Sequence, residues 1–282
     1  MSRPEFTAPS FEACYRHPDR STGIRCQRCG KPICGECMNP ASVGFQCPGC
    51  IRSGKASVRS PRTAFGAALT VHGGMVTKII IGVLLAGFVL NLISRNLLAS
   101  VIGLDSGAIL AGQYWRLITF GFSTAGLLNT AMVCLILWFA GKQLEDQLGH
   151  WRFLLLYTLA GLGSATLFFV LSPAGGSYGG AAAAVIGLLA ANGVIKYRRG
   201  EDIRPDIGLL VILVLLNLVA GFSTMFWIAQ IGGIMVGALA GIALMYAPRE
   251  RRTMAQVLAL VAVAAVCLAA IVLKTMFAYG TI

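Results

Sequence analysis

Charge is scarce in this chain. Only 12% of its 282 residues are Asp, Glu, Lys or Arg, against 56% hydrophobic, and the mean hydropathy is +0.75. No charged residue occurs between Arg152 and Lys196, or between Asp206 and Arg249. Each run can hold two membrane crossings at about 20 residues apiece, which excludes a water-soluble fold. Histidine is scarcer still. His17, His72 and His150 are the only three, and none falls within an apolar run. Residues 1 to 60 have no apolar core, so a secretory signal is not expected there.

What is present reads as an all-α polytopic membrane protein. The apolar segments place seven spans at 75 to 94, 118 to 140, 153 to 172, 179 to 196, 207 to 222, 226 to 247 and 254 to 276. The fourth and sixth are rich in Gly and Ala and poor in Leu, which suits close packing inside a bundle. With the N-terminus inside, the inner loops hold Lys142, Arg152, Lys196, Arg198, Arg199, Arg204, Arg249, Arg251 and Arg252. The outer side then holds only Arg95, Arg116 and Lys274. This bias predicts a cytoplasmic N-terminus and an external C-terminus. The net charge of +12 is then explained by topology and anionic membrane lipids.

Seven of the nine cysteines fall at the N-terminus in regular pairs with one histidine: Cys14-x2-His17, Cys26-x2-Cys29, Cys34-x2-Cys37 and Cys47-x2-Cys50. Eight ligands suit two tetrahedral zinc ions, with Gly30, Pro32, Gly35, Pro48 and Gly49 allowing the turns. Four protein ligands per ion leave no open position, so the zinc is structural. A disulfide scaffold is the competing reading, disfavoured by the spacing and by a reducing cytoplasm. The sites are either sequential or interleaved. Interleaving, as in the cross-brace and B-box-like fingers this stretch resembles, groups Cys14, His17, Cys34 and Cys37, then Cys26, Cys29, Cys47 and Cys50. The domain is expected at 10 to 52, followed by a basic linker at 53 to 74 that includes Lys55, Arg59 and Arg62. Only Tyr15, Phe45 and Phe65 could stack on bases, which argues against nucleic acid as partner.

A family resemblance enters in the membrane half. Gly112-Gln113-Tyr114-Trp115-Arg116, Gly141-Lys142-Gln143-Leu144-Glu145, Gly149-His150-Trp151-Arg152, Gly180-Ala181-Ala182-Ala183 and Ala229-Gln230-Ile231-Gly232-Gly233 occur in the order found in rhomboid intramembrane serine proteases. Residues 75 to 247 resemble that six-helix domain, with 254 to 276 as an added helix. The resemblance implies a bacterial plasma membrane location.

The departures bear on activity. The resemblance places the nucleophile of the family's G-x-S-G motif at Ala182 and the base of its H-x-G-G motif at Gln230. An alanine has no oxygen with which to attack, and an amide does not accept the proton. On the second span the family's oxyanion His and Asn fall at Asn129 and Val133. Losing one such donor costs a serine protease about 3 to 4 kcal/mol. Ser123, Thr124, Ser177 and Tyr178 have no histidine to activate them, and Cys134 and Cys267 read as helix-packing residues.

The sequence therefore predicts a rhomboid-like pseudoprotease. It would bind or escort transmembrane protein clients and recruit a cytoplasmic protein through the zinc module. The competing expectation is an active intramembrane endopeptidase with an unrecognised nucleophile. A transporter is disfavoured by the near absence of charge in the spans.

Overall fold

The computed structural model describes residues 11–57, 63, 65, 73–124, 126–171, 179–221, 226–247 and 252–280. His72, Ser177, Tyr178, Arg59, Arg62, Arg249, Arg251 and the loop after Leu171 lie outside them. The chain divides into two compact units, Met1–Pro61 and Arg62–Ile282.

The first unit is built on two minimal hairpins. Strand β1, Glu12–Ala13, pairs antiparallel with β2, Ser21–Thr22, and β3, Asn39–Pro40, pairs with β4, Phe45–Gln46. The helix α1, Pro48–Ser57, continues past residue 52, so ordered structure extends beyond the expected end of the module. Its interior is Ile33 surrounded by Cys14, Cys26, Cys34, Cys37 and Cys47. So small an apolar core cannot by itself offset the entropy of ordering the chain, so the unit depends on a further cross-link.

The second unit is helical: α2 (Met75–Ile93), α3 (Leu97–Ile102), α4 (Ser106–Leu110), α5 (Arg116–Thr119), α6 (Gly126–Ile136), α7 (Lys142–Leu148), α8 (His150–Leu171), α9 (Ala181–Arg199), α10 (Arg204–Gly221), α11 (Phe226–Met245) and α12 (Arg252–Ala278). A π-helical turn, Leu137–Gly141, makes α6 and α7 one continuous rod. Among the described residues six rods are long and apolar enough to cross a membrane: α2, α6–α7, α8, α9, α11 and α12. The expected fifth span is α10, which carries Arg204 and Asp206 in its first turn. Large apolar side chains such as Leu85, Val89, Leu258 and Val266 lie exposed on the outer helices, where lipid would meet them.

The second span is displaced from 118–140 to Gly126–Leu148. Residues 116–122 form separate short turns whose carbonyls serve α9: Phe120 O accepts from Gly180 N at 3.0 Å and Ser123 O accepts from Ala181 N at 3.0 Å. The extended backbone at Ser123 then breaks the helix before α6. Apolar Leu117 and Phe120 point into protein rather than lipid.

At the other end of that rod, charge is absorbed rather than excluded. Glu145 is buried and accepts from Val76 N (2.9 Å), Thr77 N (2.7 Å) and Thr77 Oγ1 (2.6 Å), so it caps the start of α2. His150 Nδ1 lies 2.5 Å from the same carboxylate. Arg152 is also buried. Its Nε donates to Gln256 Oε1, and Gln256 Nε2 donates to Leu244 O, joining α8, α12 and α11.

Candidate functional site: the helix pair α9 and α11, and two metal clusters

The core of the membrane unit is α11 wedged between α9 and α8. A β-carbon at Gly233 would stand 2.4 Å from Ala183 O, and one at Gly237 would stand 2.1 Å from Gly187 O. Such backbone contact requires glycine on one side and small residues on the other, which is what the Ala181–Ala184 run supplies. Accordingly 67% of α9 is buried, against 17% of α2 at the periphery.

This packing places the sequence-derived catalytic positions. Ala182 lies in the first turn of α9, 1% exposed. Gln230 lies in the first half of α11, 1% exposed, and neither its amide oxygen nor its amide nitrogen has a hydrogen-bond partner among the described residues. Ser164, the hydroxyl that a β-carbon at Gly233 would meet, donates to Ala160 O on its own helix. Ser123 is buried with its carbonyl engaged by Ala181, and Thr124 accepts from Thr130 Oγ1 at 2.8 Å.

Asn129 and Val133 separate in role. Val133 is fully buried in the core. Asn129 instead faces α10, its Nδ2 donating to Asn217 Oδ1 at 3.0 Å across a groove of about 330 Å³ between α6 and α10. Leu128, 74% exposed, and Leu213 and Leu216 line the same groove. Asn192 also finds a cross-helix partner, Asp206 on α10, at 2.8 Å. Of the Trp-Arg pair, Trp115 is exposed. Arg116 is buried and tied to Gln113 Oε1 and Gly103 O, so it holds the α3–α5 segment together. Cys134 and Cys267 lie within helices, outside any ligand cluster among the described residues.

The rhomboid domain family matches residues 111–247, from the start of this packing to the end of α11. That stretch is just under half of the chain. The chain is also 32% identical over 143 residues to Rhomboid protease GluP of Bacillus subtilis (strain 168), a match covering 50% of this chain and 28% of that protein. The chain thus spans well under two thirds of that relative's length. Both α12 and the cysteine unit lie outside the rhomboid match, and α12 is held to the domain by the Arg152–Gln256 link and by the Tyr279 hydroxyl donating to Leu110 O.

In the N-terminal unit the eight ligands fall into two interleaved sets, Cys14, His17, Cys34, Cys37 and Cys26, Cys29, Cys47, Cys50, each with its donor atoms within 4.8 Å of one another. His17 Nδ1 stands 3.2 Å from Cys34 Sγ and 3.5 Å from Cys37 Sγ, and Cys29 Sγ stands 3.7 Å from Cys47 Sγ. Tetrahedral coordination at metal–sulfur distances of about 2.3 Å implies sulfur pairs about 3.8 Å apart, so both sets fit. Backbone amides support the sulfurs: Cys47 N donates to Cys26 Sγ and Cys50 N to Cys47 Sγ.

The proton balance of these sets is divided. Burial pushes the Cys14 thiol up, but the amides of Arg16, Cys34 and His17 outweigh it and bring the group to about 6. Cys26 is likewise lowered to about 6 by the amides of Cys47, Arg28 and Cys29 against its burial. Burial and the neighbouring Cys14 and Cys34 push Cys37 up to about 11, and Cys29 and Cys47 push Cys50 to about 12. Donors competing in this way for protons form a set that a divalent cation would neutralise.

Proposed function

We propose that this protein is a rhomboid-like pseudoprotease that binds or escorts transmembrane helices. The observation that carries the reading is the pair Ala182 and Gln230, buried at the start of a closely packed helix pair with no hydroxyl or imidazole at either position. Acyl transfer by this family's chemistry needs an activated oxygen and a titrating base, and loss of either costs many orders of magnitude in rate. The retained packing of α9 on α11 supports a binding role for the bundle. The groove between α6 and α10 offers an apolar surface with the Asn129 and Asn217 amides, suited to a transmembrane segment with a polar group at that depth.

The N-terminal unit holds two structural zinc ions in this reading, one on three thiolates and an imidazole and the other on four thiolates, and presents a surface for a cytoplasmic protein. Its N-in placement is supported by the loop charges. Arg116 and Arg152 are engaged inside the fold, and leaving both out preserves the sign of the bias. A second reading, peptidase activity, draws on the likeness to a relative named as a rhomboid protease.

A photo-crosslinking residue in place of Leu128, which lines the groove and is exposed, tests the binding role. Intact transmembrane proteins captured there, and lost when Asn217 is replaced by Leu, are the expected result. Capture of cleaved fragments alone would favour the peptidase.

A further inference from the structure

A groove of about 620 Å³ in the membrane unit belongs to neither the α9–α11 pair nor the α6–α10 face. It lies between the C-terminal half of α9, the first turns of α10 and the end of α11, walled by Leu189, Val194, Ile207 and Ile242. One end of the bundle gathers the charge here: Lys196, Arg198 and Arg199 in the last turn of α9 and Arg204 at the start of α10. The carboxylates present are already engaged. Asp206 accepts from Lys196 Nζ at 2.7 Å and Asn192 at 2.8 Å, Glu201 stands 3.6 Å from Arg199, and Asp202 accepts from Arg204 N.

Arg198 differs from its neighbours. It is exposed, and its guanidinium lies 4.0 Å from the ring centroid of Tyr246, with no carboxylate against it among the described residues. Tyr197 and Tyr246 are 71% and 60% exposed at the groove's mouth. Aromatic rings and cations at one level of a membrane bundle mark the headgroup region, and the apolar wall beyond them lies at acyl-chain depth. Gly193 opens the wall, since a β-carbon there would meet nothing within 4 Å.

We propose that this groove is a binding site for one anionic phospholipid, with an acyl chain along the apolar wall at Gly193 and the headgroup phosphate on Arg198. Charge complementarity selects the occupant. A guanidinium without a carboxylate against it among the described residues, at an aromatic-lined mouth, favours a phosphodiester, and an apolar trough of this size, within the range of about 300–1,000 Å³ typical of ligand sites, accepts a hydrocarbon chain. The assignment does not depend on whether the domain cleaves peptides.

The test is native mass spectrometry of the full chain after reconstitution in vesicles of equal phosphatidylglycerol and phosphatidylcholine with identical chains. The wild type should retain one phosphatidylglycerol with a preference of about fivefold, the factor expected from one arginine near the surface. Arg198→Gln should abolish the preference and Arg198→Lys should keep it. Gly193→Phe should empty the groove of both lipids, whereas Gly208→Phe, on α10 away from the groove wall, should retain lipid as the wild type does. Equal retention by the wild type, a preference that survives Arg198→Gln, or loss of lipid in both phenylalanine variants would overturn the proposal. Displacement of the lipid by millimolar inorganic phosphate would also overturn it, because it would reduce the site to a bare anion pocket.

Discussion

At the scale of single residues, Gln230 and Glu145 show two fates of a buried polar group. The amide of Gln230 is buried without a partner among the described residues, and an unsatisfied amide costs about 1–3 kcal/mol in protein interiors. Gln230→Met, close in length and apolar, should therefore raise the thermal midpoint in detergent, by about 1 kcal/mol of added stability. A clear drop would mean that the amide serves a partner. Glu145 is the opposite case, since the hydrogen bonds it accepts from Val76 and Thr77 fix α2 to the rest of the bundle. Glu145→Gln should cost about 2 kcal/mol, the usual value of hydrogen bonds to a charged acceptor, read by the same melt. The motif reading picked out Ala182 and Gln230 directly, because each is a side chain in a recognisable spacing. The role of Glu145 was not legible there, since two of its partners are backbone amides of Val76 and Thr77, far upstream and without sequence signature.

At the scale of elements, the Gly and Ala richness of the fourth and sixth spans was readable in sequence, and the structure pairs the two, the glycines of α11 against the alanine run of α9. Gly237→Leu should destabilise the domain by at least about 2 kcal/mol, since the added side chain meets the backbone of Gly187, which cannot move aside as a rotamer can. The second span was misplaced from sequence because hydropathy does not register the helix break at the extended backbone of Ser123. The metal module was legible as eight ligands, whereas their interleaved pairing depends on backbone contacts between distant segments, Tyr15 N donating to Pro32 O and Gln27 N to Phe45 O, which bring Cys14 to Cys34 and Cys26 to Cys47. Metal analysis of the full chain should return two zinc ions. A strong chelator should render residues 11–57 sensitive to protease while α8, α9 and α11 stay protected. One zinc, or none, would remove this part of the account.

At the scale of the whole molecule, the helix ends bearing Lys196, Arg198, Arg204 and His150 and the start of α2 share one side of the bundle through the contacts of Glu145, Asp206 and Gln256. If α10 crosses as well as the six longer apolar rods, a tag at Met1 should be cytoplasmic and one after Ile282 external; tags found on the same side would remove α10 or α12 as a span. The central claim is that a rhomboid domain with Ala182 and Gln230 binds without cutting. Its most direct test is incubation of the purified, protease-free chain with a model transmembrane substrate, alongside labelling with a serine-directed fluorophosphonate. The account predicts intact substrate and no label, because no activated hydroxyl stands at position 182. Reproducible cleavage by the unmodified chain, abolished by a single substitution within the bundle, would contradict it.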